Sequence, residues 1–213
     1  MNKLIVIFFF ACTLIFSCTE EKKTNVIGLQ SLNFFPNFYV DSISSAIERF
    51  YGFKTVALKN KIIPNNFFST TKSARYRADS IVDLLNREMP DDVYQIIGLT
   101  CVDISTTKKD KNGKTEEPVS FYENWAVFGL ANHSKPGSVV STFRVQGPNQ
   151  KLVIERMQKI SLHELGHNIG LRHCDNNNCC MHPKVESFKA VDSIALNLCI
   201  KCKTAAHQLS PKN

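Results

Sequence analysis

No apolar run in this chain is long enough to cross a bilayer as a helix. The strongest candidate, Leu4 to Phe16, has thirteen residues, against about 20 for a span. There is no internal repeat and no low-complexity linker, which removes solenoids and modular arrays. Basic residues outnumber acidic ones, 26 to 19, for a formal net charge of +7. They are scattered, and no arginine-rich or aromatic-interleaved stretch marks a nucleic-acid interface. A soluble basic surface accounts for the charge better than a patch for anionic lipid or acidic substrates.

What the chain does have is concentrated between His163 and Met181, which reads HELGHNIGLRHCDNNNCCM. His163 and His167 are four residues apart, so on a helix both imidazoles reach one ion. Glu164 is rotated by roughly 100° from His163, beside that ion, where a carboxylate can take a proton from water. Gly170 lets the chain leave the helix with positive φ and brings back His173 as a third ligand. Three neutral imidazoles and an open position describe a catalytic zinc, since a structural zinc is closed by four protein ligands.

The pattern runs on as H-E-x-x-H-x-x-G-x-x-H-C-x4-C-x-M, then 17 residues, then Cys199-x-x-Cys202. In this it resembles the archaemetzincins, a branch of the metzincin zinc peptidases, at every fixed position of their extended signature. The resemblance is strong from His163 to Cys202 and weaker upstream, through Gln95-IIGLTCVDI and Trp125-AVFGLA. Cys174, Cys179, Cys199 and Cys202 have the short-loop spacing of a tetrathiolate zinc, and the resemblance implies a second, structural zinc there. Two disulfides are the competing reading, favoured by an oxidising compartment. Four thiolates around Zn²⁺ leave a charge of about −2, which Arg172, Lys184, Lys201 and Lys203 are placed to offset. Met181 matches the methionine that underlies the metal in metzincins. His182-Pro183 departs from the family-typical Asn-aromatic pair, and no tyrosine stands two residues after Met181.

At the start, Lys3 precedes the apolar run and Ser17-Cys18 ends it, before a polar Thr-Glu-Glu-Lys-Lys. This is the layout of a lipoprotein-type signal peptide over residues 1–17. Cys18 would be the acylated first residue and residues 18–23 a tether, although Phe16 departs from the strict cleavage motif. A plain secretory signal or a retained anchor are the alternatives. Lipidation would place the protein in a bacterial cell envelope, anchored to a membrane surface and not spanning it. Cys101 and Cys180 are left as free thiols or as a pair.

Residues 24–213 form one catalytic domain in this reading, and alternating elements give an α/β layer structure. Strands are expected at Asn25–Leu32, Lys54–Lys59, Val93–Ile104, Asn124–Ala131 and Ser138–Val145. Helices are expected at Ser42–Tyr51 with Asp41 as N-cap, at Lys72–Glu88, and from about Gln150 to Ile169. Ser105 to Pro118 reads as a solvated loop and His133 as a surface histidine in a turn. The resemblance implies a metzincin-like fold, α/β or α+β. Its parts are a mixed five-stranded sheet, an active-site helix and a small zinc-stapled C-terminal subdomain. Trp125-AVFGL is the candidate edge strand that pairs with an extended peptide.

The function expected is a monomeric zinc metallopeptidase with two Zn²⁺, acting on a peptide or protein, with Glu164 as general base and acid. The resemblance admits an aminopeptidase-like preference. A second oxyanion donor cannot be named, although His182 is conceivable. The rival reading is a non-catalytic zinc-binding lipoprotein. It has no use for a carboxylate at Glu164.

Overall fold

The computed structural model describes residues 25–133, 135–183 and 187–211. The expected signal segment, Cys18, the tether and Lys184 lie outside them.

Two sheets organise the chain. The first contains β1 (Val26–Leu32), β2 (Lys54–Lys61), β5 (Gln95–Thr100), β8 (Gly129–Ala131) and β9 (Gly137–Ser141), in the order β2-β1-β5-β9-β8. All neighbours are parallel except β8 and β9, so β8 is an antiparallel edge. The expected mixed five-stranded sheet is therefore present. The sequence pattern does not announce a second, four-stranded sheet: β3 (Phe68–Ser69), β4 (Arg75–Arg77), β6 (Ile104–Thr106) and β7 (Trp125–Val127), in the order β3-β4-β6-β7.

The central strands are covered on both faces. In β5 all six residues are buried, as a parallel strand between helical layers requires. Ile97 and Leu99 join a core with α1 (Asn37–Tyr51) and α4 (Gln150–Ile169). Ile96 points the other way, into a core with α2 (Ala78–Arg87). The alternation of side chains along a strand makes this division.

Five expected elements are corrected, one of them the strand expected over Ser138–Val145, which starts at Gly137 and ends at Ser141. α1 starts at Asn37 after Pro36, not at Ser42; its apolar face extends back to the buried Val40, and Asp41 becomes an exposed position inside the helix. The helix expected at Lys72–Glu88 begins only at Ala78, because Arg75–Arg77 pair with β3 and β6. The strand expected over Val93–Ile104 ends at Thr100, and Ile104 belongs to the other sheet. The strand expected over Asn124–Ala131 is broken at Phe128 into β7 and β8, one in each sheet. Between β6 and β7 lies a short α3 (Val119–Tyr122), and the polar loop before it holds only the isolated bridge Lys109–Thr115.

Helix α4 has the expected bounds, and its caps show why. The Asn149 side chain accepts the Leu152 N–H at 2.9 Å, satisfying a donor that a helix start leaves open. At the other end Gly170 takes φ +105° and the Leu171 N–H returns to the Gly166 carbonyl at 2.8 Å. The buried Arg156 holds the middle of the helix. It pairs with Asp192 at 2.6 Å, on α5 (Phe188–Ser193), and donates to the Val145 carbonyl at 3.0 Å. The last element is α6 (Ile200–Leu209), which packs on α1 and α4.

Candidate active site

The last two turns of α4 and the left-handed Gly170 bring His163, His167 and His173 together. One ring nitrogen from each lies within 4.8 Å of the others. The orientations are set from outside the helix. His163 Nδ1–H donates to the Cys180 carbonyl at 2.7 Å, and His167 Nδ1–H to the Leu171 carbonyl at 2.9 Å. A carbonyl can only accept, so each Nδ1 carries the proton and each Nε2 keeps its lone pair. Those two Nε2 atoms face each other at 3.0 Å. Two lone pairs so close repel unless a cation lies between them, and nitrogens bound at about 2.0–2.1 Å to one zinc are close neighbours of this kind. The residues fit a metal.

Their protonation agrees. Burial, reinforced by His167, pushes His163 down to about 3. Burial likewise takes His167 down to about 4 and lowers His173. All three are neutral at ordinary pH, the form that binds metal.

Glu164 is buried beside them. It packs on Gly129 of β8, where an added Cβ would stand 2.9 Å from its Oε1. This is the close approach that a glycine permits. Burial raises the carboxyl to about 8, partly offset by a hydrogen bond from the Ala131 backbone. A dication at the histidines acts in the opposite direction and favours the carboxylate.

Beneath the site lies Met181, fully buried. It sits against Gly166, where any Cβ would overlap its sulfur. Tyr51, at the end of α1, donates its hydroxyl to the Leu162 carbonyl at 2.8 Å and has Met181 Sδ 3.9 Å away. Tyr51 thus clamps the active-site helix to the methionine. Nothing near Tyr51 in the sequence signals this, since the contact spans 111 residues.

His133 is exposed, as expected, yet its ring lies 4.5 Å from that of His167. Only the β8–β9 pairing, invisible to local pattern, carries that turn to the site. His182 is buried and faces His173 electrostatically.

The four cysteines also converge. Their sulfurs lie within 4.8 Å of one another, and Cys174 Sγ is 3.8 Å from Cys199 Sγ. A tetrahedral zinc with bonds of about 2.3 Å sets its sulfurs about 3.8 Å apart, whereas a disulfide needs about 2.05 Å. All four are free thiols, as are the exposed Cys101 and the buried Cys180, which do not pair. The cluster is tied to the histidine site through the backbone, where the Cys174 N–H donates to the Met181 carbonyl at 2.9 Å.

A cleft of about 770 Å³ opens beside His163 and Glu164. Its wall is the segment from Asn124 to Gly129, with Phe143, Arg144 and Phe188 around it. A second opening, past His167 and His173, is lined by His133, Gly170 and Arg172.

A mixed sheet over a helix that carries HExxH, with a third histidine returned by a left-handed glycine, defines a zinc metallopeptidase of the metzincin kind. The family model described as Peptidase family M54 matches residues 51–208. The archaemetzincin of Halobacterium salinarum is 30% identical over 169 residues, covering 75% of this chain and 87% of that protein. The archaemetzincin of Haloquadratum walsbyi is 31% identical, covering 75% and 86%. The crystal structure of the Methanopyrus kandleri archaemetzincin superposes with a TM-score of 0.69 at 26% identity, covering 90% of this chain and 98% of that one. The chain belongs to the archaemetzincins, peptidase family M54.

Proposed function

We propose that the chain hydrolyses peptide bonds at a zinc ion held by His163, His167 and His173, with Glu164 as general base and then general acid. When bound, zinc lowers the pKa of a water to roughly 7 and polarises the scissile carbonyl. Glu164 takes the proton of that water and delivers it to the leaving amine. The observation that carries this reading is a buried carboxylate at the inner end of a cleft, beside three neutral imidazoles. Among the described residues lining the cleft, Glu164 is the only carboxylate. The test is hydrolysis of a diverse peptide library by the zinc-loaded protein. Cleavage that stops with a chelator and returns with zinc is expected; cleavage that a chelator leaves unchanged would overturn the reading.

The tetrathiolate cluster holds a second, structural zinc in this proposal, giving two per chain. The sulfur spacing supports it. The enzyme acts on peptide or protein as a monomer.

Residues 1–17 act as a lipoprotein signal and Cys18 carries the lipid, anchoring the enzyme in the cell envelope. The support is the order of charge, apolar run, serine and cysteine in the sequence. Among the described residues no helix is long and apolar enough to cross a membrane. Cys18→Ser is expected to abolish incorporation of labelled palmitate and move the protein from the membrane fraction to the soluble one. Unchanged partitioning would mean a retained anchor.

A further inference from the structure

The cleft beside Glu164 holds charge that hydrolysis itself does not use. Lys72, Arg75 and Arg144 all line it. A single carboxylate answers the two arginines. Asp103 accepts from Arg75 Nε at 3.0 Å and from Arg144 Nε and Nη2 at 2.7 Å each. Arg75 also donates to the Asn124 carbonyl at 2.8 Å. Lys72 Nζ lies 3.6 Å from the centre of the Phe121 ring and has no acidic partner among the described residues. Apart from Glu164 at the metal site, these three cations meet one carboxylate among the described residues, so this wall keeps a surplus of positive charge.

The arrangement is also preset. Asp103 is 11% exposed and holds the Arg144 guanidinium by two parallel bonds, while Arg144 stays 33% exposed. A fork held in one plane loses little further freedom when a carboxylate arrives. Phe121, Phe143 and Phe188, each 43–51% exposed, stand around the same cleft. Apolar rings beside guanidinium groups suit an apolar or aromatic residue with a carboxylate close to it.

The hydrolytic reading places this cleft on the leaving-group side of the scissile bond. Glu164 hands its proton to the leaving amine, so residues after the bond lie on the Glu164 side, which is where the cleft opens. A peptide lying along β8 in that direction would run antiparallel to it, from Ala131 towards Gly129. The opening on the other side of the metal site is lined by His133, Gly170 and Arg172. It offers Arg172 and no carboxylate, the reverse of what a free amino terminus needs.

We propose that the cleft selects substrates with a carboxylate on the leaving-group side, with Arg144 and Lys72 as the specificity-determining contacts. That carboxylate is either the chain terminus of a short peptide or an acidic side chain. The proposal rests on the hydrolytic reading above only for the direction of the substrate. It makes the enzyme a selector of carboxylates, not of free amino termini.

Binding to full-length, zinc-loaded Glu164→Gln protein, measured by calorimetry, separates recognition from turnover. The probes are N-acetylated alanine–phenylalanine peptides of three to six residues ending in carboxylate, and the same peptides ending in carboxamide. Carboxamide peptides with one Glu or one Gln complete the set. At least one carboxylate class should bind about tenfold tighter than its neutral counterpart, and the class that does so identifies the source. The preference should fall steeply as salt rises. Arg144→Gln should reduce it to about twofold, Arg144→Lys should restore part of it, and Lys72→Gln should lower it if Arg144→Gln does not fold. Equal binding of carboxylate and neutral peptides overturns the proposal. If carboxylate peptides bind selectively but the protein with Glu164 intact cleaves none of them, the hydrolytic reading fails while the recognition stands.

Discussion

Glu164→Gln is expected to keep its zinc and to lose peptide hydrolysis by a factor of about 10²–10⁴, the usual worth of a positioned general base. The substitution preserves shape, and the glutamine carbonyl can still accept the Ala131 N–H that the carboxylate accepts now. It does not touch the three imidazoles that converge on one point. What disappears is the ability to take a proton. Metal content by elemental analysis, beside initial rates on one cleaved peptide, gives the result. A variant that cleaves at the wild-type rate would sink the mechanism, and one that loses zinc would make Glu164 a ligand. The pH profile of the parent should agree. Only the carboxylate accepts a proton, so activity should rise with pH through the pKa of Glu164. Burial sets that value at about 8, and the charge of a bound zinc brings it lower.

Cys199→Ser is expected to cost even more, because it opens the tetrathiolate cluster. A structural zinc is worth on the order of 10 kcal/mol of apparent binding free energy in small peptides. Cys199 is remote in sequence from the histidines, yet three links join its cluster to them. His173 and Cys174 are adjacent residues. The Cys174 N–H holds the Met181 carbonyl, and the Cys180 carbonyl holds His163. Loss of the thiolate zinc should therefore unfold the C-terminal part or weaken zinc at the histidines. Stoichiometry should fall from about two zinc per chain to one or none. A folded variant that keeps one zinc with undiminished affinity would show that the sites are independent. Wild-type protein with one zinc and no free thiols at these four positions would restore the disulfide reading.

The candidate site was almost wholly legible because its signals are local. The i, i+4 histidines, the Asn149 cap and the Gly170 exit are each decided within a few residues, and α4 accordingly begins and ends where its caps say. The element errors have the opposite cause. Arg75 to Arg77 read as helix by their neighbours, but they pair with strands from two other parts of the chain. Asn124 to Ala131 reads as one strand in an almost continuous apolar run, and only the placement of two sheets divides it at Phe128. Tyr51 under the helix and His133 beside His167 are likewise products of topology. So is the pairing of Asp103 with both Arg75 and Arg144, whose residues look like unremarkable surface charges when read in order.

The outward anchoring of the imidazoles bears on any attempt to transplant this chemistry. A helix grafted from Gln150 to Ile169 would carry His163, His167 and Glu164 into a new scaffold. It would leave behind the Cys180 and Leu171 carbonyls that fix the tautomers of both rings. It would also leave behind the methionine floor against which Gly166 is cut to fit. The smallest portable unit therefore runs from the helix through Cys202, because the Cys174 N–H that holds the Met181 carbonyl, and the cysteines that gather around it, all lie in that stretch. A designer who copies the motif alone takes the teeth of the key without its shank.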